Sequence, residues 1–151
     1  MKELESEDLL ARIVKHEGFE SRAYPDPLSG AEPYTFGHGL TYITEAESLE
    51  IVRNRIDTLT QEILNRSWGD AIYWGLSEFP VTRRAVMSVL IEMAFQMGVA
   101  GVSKFEKMLA ALIDHNYKLA AEEMLDSKWA RQTPTRAQAL AKIIREIIRE
   151  I

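Results

Sequence analysis

Glu17, Asp26 and Thr35 are the residues of this chain whose types and spacing could do chemistry together. Nine positions separate the first from the second and the second from the third, within the stretch HEGFESRAYPDPLSGAEPYTFGHGL from His16 to Leu40. Glu17 closes an apolar-periodic segment directly before Gly18, Asp26 sits between Pro25 and Pro27, and Thr35 lies in a short aromatic and β-branched stretch. Two carboxylates in different environments a short loop apart suit hydrolysis of a glycosidic bond. The negative end of a helix macrodipole favours a protonated carboxyl at Glu17, and a protonated carboxyl can give its proton to a leaving-group oxygen. In its polar turn Asp26 would stay ionised and could serve as a base for water, which the Thr35 hydroxyl could orient. Inverting glycosidases hold their carboxyls roughly 6.5–9.5 Å apart to admit that water, a span that a helix-to-turn reversal can supply. The plain alternative is that Glu17 only ends a solvated helix and Asp26 only forms a turn, as aspartate before proline commonly does.

The elements that must position these residues follow from periodicity and punctuation. Leu9, Leu10, Ile13 and Val14 give one apolar face to a helix over about residues 5–17, with Gly18 as its stop. Residues 19–43 hold three of the five prolines, with Tyr24, Tyr34, Thr35, Phe36 and Tyr42, and suggest a small hairpin or meander. Thr44 and Glu47 read as a capping box opening a long helix to about Arg66, with Leu49, Val52, Ile56, Leu59 and Ile63 on one face. Residues 83–97 are apolar nearly all round, as a buried central helix is, and Gly98 ends them. Phe105 to Leu112 marks another helix and Leu119 to Leu125 a shorter one. Thr133 and Pro134 open the last helix, which carries Leu140, Ile144, Ile147 and Ile151. The expected class is therefore α+β and mostly helical. A β hairpin lobe at about 18–43 would be joined by a helix at about 44–66 to a helical lobe at about 67–151, against which helix 5–17 packs, all in one domain of 151 residues.

Composition narrows the function classes. The chain has no cysteine, which excludes disulfides and thiolate metal sites. Its three histidines, His16, His38 and His115, offer no pair at helical ligand spacing, so no metal is expected. Eighteen Lys and Arg are scattered among twenty-three acids, for a net charge of −5, so a nucleic-acid partner is not expected. Nor is membrane insertion, since no apolar run reaches the ~20 residues of a span. The acidic start, MKELESEDLLARI, lacks the basic and apolar regions of a secretory signal.

Motifs at both ends carry a family resemblance. His16-Glu17-Gly18, then Asp26, then the Thr-x-Gly-x-Gly turn Thr35-Phe36-Gly37-His38-Gly39 are followed far along the chain by Phe95-Gln96-Met97-Gly98, Gly101-Val102, Phe105 and the run from Trp129 to Ala137, WARQTPTRA. In this order they resemble the phage-type lysozyme family, the T-even phage lysozyme-like muramidases. The resemblance implies a peptidoglycan hydrolase that cuts the β-1,4 bond between N-acetylmuramic acid and N-acetylglucosamine without a cofactor, as a phage endolysin or virion-associated lysozyme. It implies Glu17 as general acid, with Asp26 and Thr35 holding and activating the water. It also implies Arg136 reaching back to the glutamate, and contacts with the sugar chain from Phe95, Gln96, Arg136, His38 and Phe105. Such a protein would be a monomer, made in the host bacterial cytoplasm and acting on the wall in the periplasm. Three departures stand out: the loop between Asp26 and Thr35 is longer than in the T-even enzyme, Leu40 replaces a histidine after the turn, and the connection to Thr44 is shorter. They leave open a second reading, a non-catalytic lysozyme-fold domain that binds wall polymer or a protein partner.

Other features have both a bland and a sharp reading. Glu92, four residues after Ser88 in an apolar helix, is either partnered in the core or a sugar contact. Trp68 and Trp74 either pack or stack on sugar, and Trp129 reads as core. The tail IIREIIREI either folds back on the domain or forms a dimer seam that would make the chain a helical adaptor. Arg53 and Arg55 read as the solvated face of the long helix.

Overall fold

Residues 2–19 and 43–148 are described by the computed structural model. They form eight helices in chain order: α1 (Lys2–Glu17), α2 (Glu45–Leu64), α3 (Ser67–Gly75), α4 (Pro80–Ser103), α5 (Glu106–Ile113), α6 (Tyr117–Leu125), α7 (Lys128–Gln132) and α8 (Pro134–Arg145).

The first helix buries Leu9, Leu10 and Ile13 and stops where glycine permits it to. Gly18 has φ of 73° and its N–H bonds the Val14 carbonyl at 2.8 Å, a left-handed residue just past the helix that costs glycine nothing. Glu17 is therefore the last helical residue of α1. Thr44 and Glu47 form the capping box at the start of α2: the Thr44 hydroxyl accepts from the Glu47 N–H, and the Glu47 carboxylate accepts from the Thr44 N–H. The Thr44 hydroxyl also donates to the Glu47 carboxylate at 2.8 Å, and this bond, with the one from the Thr44 N–H, holds the Glu47 carboxyl below its ordinary value. Along α2, Ile56, Leu59 and Ile63 are buried at spacings of three and four. The chain then turns tightly into α3, whose Gly69 approaches the backbone of Ile63 so closely that a Cβ there would sit 1.9 Å from the Ile63 carbonyl oxygen.

The core centres on α4, which packs against α1, α2, α3 and α8. Eleven of its residues are buried, among them Val86, Met87, Leu90, Met93 and the carboxylate of Glu92. By length and composition α4 could cross a membrane, but its apolar surface is that of a helix with neighbours on several sides. Gly98 (φ 79°, ψ 161°) breaks it, so that Val99–Ser103 continues in a new direction. After α4 come short helices. The αL residue closing α5 is His115 (φ 59°), with its N–H on the Leu112 carbonyl and the Asn116 N–H on that of Ala111, a Schellman pattern. Thr133 precedes Pro134 as expected, but its hydroxyl donates to the Trp129 carbonyl at 2.9 Å instead of capping α8. In α8, Leu140, Ala141 and Ile144 are wholly buried, and the helix ends at Arg145.

The α+β expectation is corrected to all-α: among the described residues there is no strand. The hairpin expected at about 18–43 rested on the turn and aromatic residues of one segment, and positions 20–42 lie outside the described residues. Every regular element among the described residues is a helix. Ile151 also lies outside them. Ile147 packs partly against the core and Ile148 is 85% exposed, so the tail turns one side to the domain.

Candidate functional site

Two helices bring a polar pair each to the same buried place. Arg12 and His16 stand four apart on α1, and Ser88 and Glu92 four apart on α4, so each pair shares one helix face. Arg136, from the first turn of α8, closes the group. The Glu92 side chain is fully buried and its contacts are all donors. Its Oε1 accepts from Arg12 Nε at 2.5 Å, and its Oε2 accepts from Arg136 Nε at 2.8 Å and lies against His16 Nδ1. Burial would push this carboxyl up, but the hydrogen bonds from Arg12, His16 and Arg136, with the Arg12 charge, outweigh it and hold Glu92 below its ordinary value. An ionised carboxylate only accepts, so the proton of the His16 ring that faces it sits on Nδ1. The Arg12 guanidinium also donates to Ser88 Oγ at 3.1 Å, and that hydroxyl donates to the Ala85 carbonyl at 2.8 Å. Here the bland reading of Glu92 holds: it is partnered within the core.

The network surfaces at Glu17. Arg136 Nη1 donates to Glu17 Oε1 at 2.8 Å, linking α8 to the last residue of α1 across 119 positions of sequence. The Arg136 side chain is 10% exposed and that of Glu17 41%, so the pair runs from the interior to the surface. Arg136 Nη2 is buried and has no hydrogen-bond partner among the described residues. Beside Glu17 a small cleft lies between the end of α1 and the start of α2, lined by Ile13, Val14, Phe19, Glu45 and Leu49. This arrangement offers a carboxyl within reach of solvent, aimed by a guanidinium that is itself fixed from inside.

A second group gathers at the break in α4. Gln96 Oε1 accepts from Trp129 Nε1 at 2.8 Å, and the Trp129 ring meets Phe105 edge-on at 6.1 Å. Phe95 is half-buried against the core, Gln96 is exposed and Trp129 is buried. Phe105 and Trp129 line a groove of about 400 Å³ with Lys104, Lys107, Glu123 and Asp126. Thus Glu17 is brought together with Arg136, and Gln96 with Phe105 through Trp129. Asp26, Thr35 and His38 lie outside the described residues. Trp68 packs against the core with its Nε1 on Ser103 Oγ, whereas Trp74 is 62% exposed, so the packing reading fails for it. Both Arg53 and Arg55 lie on the exposed face of α2. No three His, Asp or Glu side chains gather as metal ligands would among the described residues.

The sequence reading missed Arg12, His16 and Ser88. A signal for them existed in the two i,i+4 polar pairs set on otherwise apolar faces, although nothing in the sequence says that those faces meet.

No family model matches the chain. It is similar to a probable T4-type lysozyme 1 of Dictyostelium discoideum, 30% identical over 68% of this chain and 56% of that protein. Similarity extends to the pre-baseplate central spike protein Gp5 of Enterobacteria phage T4, 43% identical over 40% of this chain and 11% of that one. A third relative is the peptidoglycan hydrolase gp36 of Pseudomonas phage phiKMV, 38% identical over 43% of this chain and 7% of that one. The chain thus spans about half the length of the first of these relatives and a small part of the other two.

Proposed function

The chain belongs to the phage-type lysozyme family, and on that premise we propose that it is a peptidoglycan hydrolase that cleaves the β-1,4 bond between N-acetylmuramic acid and N-acetylglucosamine. The observation that carries this reading is the Glu17–Arg136 pair: a part-exposed glutamate at the end of α1, held at 2.8 Å by a buried arginine from α8. Two relatives support it, one named a lysozyme and one a peptidoglycan hydrolase.

In this mechanism the Glu17 carboxylic acid gives its proton to the glycosidic oxygen as the bond from that oxygen to the anomeric carbon breaks. Water, oriented by Thr35, attacks the anomeric carbon from the opposite face and passes a proton to Asp26. The two carboxyls end with their protons exchanged and reset through solvent, and the product is inverted. Arg136 Nη1, on Glu17 Oε1 at 2.8 Å, serves to aim the carboxyl. Phe95, Gln96, Phe105 and His38 serve as contacts for the sugar chain. The protein would act on the wall in the periplasm, as an endolysin or a virion-associated lysozyme. One relative's name as a central spike protein supports the second role.

Product analysis of digested muropeptides tests the proposal. Glu17→Gln should abolish release of new reducing ends with the melting temperature nearly unchanged, and wild-type product should carry an inverted anomeric centre. Undiminished cleavage by Glu17→Gln would remove the acid from this assignment, and retained configuration would remove the single displacement.

A further inference from the structure

Glu92 is wholly buried, yet its two oxygens face different ways. Oε1 takes Arg12, which is tied through Ser88 to the backbone of α4 at Ala85, so this oxygen belongs to an anchor between α1 and α4. Oε2 takes His16 and Arg136. Both of these lead to Glu17: His16 is its neighbour in the last turn of α1, and Arg136 holds its Oε1.

We infer that Glu92 is a positioning residue for Glu17, acting through Arg136 from the α8 side and through His16 from the α1 side. This rests on the reading of Glu17 as the acid. Arg136 is held at two points of one planar group, its Nε on Glu92 Oε2 and its Nη1 on Glu17 Oε1, each at 2.8 Å. Because the guanidinium is rigid, the bond that Glu92 takes at Nε constrains the direction in which Nη1 meets Glu17.

Charge follows the same route. Among the described residues, Arg136 on α8 bonds Glu17 directly and Glu45 of α2 shares the small cleft with it, while Glu92 on α4, with Arg12 and His16 on α1 bonded to it, lies one step behind Arg136. Within this set Glu92 offsets Arg136. Without it, the guanidinium acts on Glu17 undiluted and favours the ionised carboxyl, the form that cannot donate a proton.

Two variants separate charge from geometry. Glu92→Gln keeps the shape and removes the charge, while Glu92→Asp keeps the charge and shortens the arm. Carbon-13 NMR of the glutamate carboxyl resonances should show the Glu17 midpoint lower in Glu92→Gln than in the wild-type protein. In Glu92→Asp that midpoint should stay, while the Arg136 Nε–H resonance loses its hydrogen-bonded shift. On wall material both variants should lose roughly 10- to 100-fold in kcat at unchanged KM, and only Glu92→Gln should move the alkaline limb of the pH profile to lower pH. A core truncation, Leu140→Ala, should lower the melting temperature and leave the Glu17 titration in place. An unmoved Glu17 titration in Glu92→Gln overturns the inference. Should Glu92→Gln fail to fold, an unchanged Arg136 resonance with unchanged kcat in Glu92→Asp overturns it instead. If the wild-type protein cleaves no wall, the assignment of Glu17 as acid falls, and the NMR measurements still decide whether Glu92 governs Glu17.

Discussion

Replacing Arg136 should separate what this side chain does for the fold from what it does for Glu17. It makes two charge-assisted hydrogen bonds, to Glu92 and to Glu17, each at 2.8 Å. A bond of this kind between buried partners contributes about 1.5–3 kcal/mol. The Glu92 arm qualifies, because that side chain is 0% exposed. The Glu17 arm ends on a side chain 41% exposed and is screened by solvent, so it is held to about 0–1 kcal/mol. Arg136→Met removes both arms but buries an apolar chain of similar length in their place, which returns about 1 kcal/mol. Because Arg12 and His16 still hold Glu92, the net loss should be about 2 kcal/mol, or a fall of about 4–8 °C in Tm for a chain of this size. Arg136→Lys keeps the charge, and its ammonium can serve Glu92 but cannot fork to Glu17 as well. It should lose only about 1 kcal/mol, or about 2–4 °C. Thermal melts by circular dichroism, run beside a wall-clearing assay, measure both. Lysine should therefore restore most of the stability and little of the lysis. Full activity in Arg136→Lys, or a melting temperature for Arg136→Met within about 1 °C of wild type, would refute the division of labour.

Two further perturbations bear on the frame around the site. Glu92 is held below its ordinary value of 4.5, so the folded state binds its proton less readily than the unfolded chain does; the stability this contributes is present above pH 4.5 and is lost as pH falls through the folded value. Urea melts across that range should show stability declining with acid, and a decline just as steep in Glu92→Gln would contradict the assignment. Gly69→Ala would place a Cβ 1.9 Å from the Ile63 carbonyl oxygen, which only a shift of α3 away from α2 can relieve. That overpacking should cost about 3 kcal/mol, read as a drop of about 6–12 °C in Tm, and an unchanged melt would show that the α2–α3 turn is loose.

What was legible in the sequence was local or periodic. Gly18, the Thr44–Glu47 box and Gly98 act on their own few neighbours, so their effect can be read in place. The buried faces of α2 and α8 were legible because a helix repeats its contacts every three or four residues. Long-range polar pairing was not. Glu92 meets Arg12, His16 and Arg136 across 80, 76 and 44 positions, and no local pattern reports which faces will meet. The approach of Arg136 to Glu17 was expected only through the family resemblance. Short helices were also obscure: α7 has five residues, too few to show a period, and it is recognisable by Ser127, whose hydroxyl accepts from the Ala130 N–H. Trp74 shows the converse limit, since aromatic content in a short irregular segment says nothing of which ring will face solvent.

The cluster around Glu92 is hard to justify as a device for stability. It places charged and polar side chains from α1, α4 and α8 among residues such as Ile13, Met93 and Leu140, which are wholly buried. Removing such groups from water is costly, and well-packed apolar replacements are often neutral or stabilising by about 1–4 kcal/mol. The arrangement does fix one geometry, because a guanidinium held through Nε can present Nη1 in only one direction. A variant carrying Arg12→Met, Glu92→Met and Arg136→Met together should therefore melt no lower than wild type while losing wall clearing. Each replacement is unbranched and of similar length, so the core can fill without a cavity. Of the groups that lose a partner, Glu17 is 41% exposed and His16 15%, so both can turn to solvent. A triple variant that unfolds, or that melts well below Arg136→Met alone, would show instead that the cluster holds the three helices together.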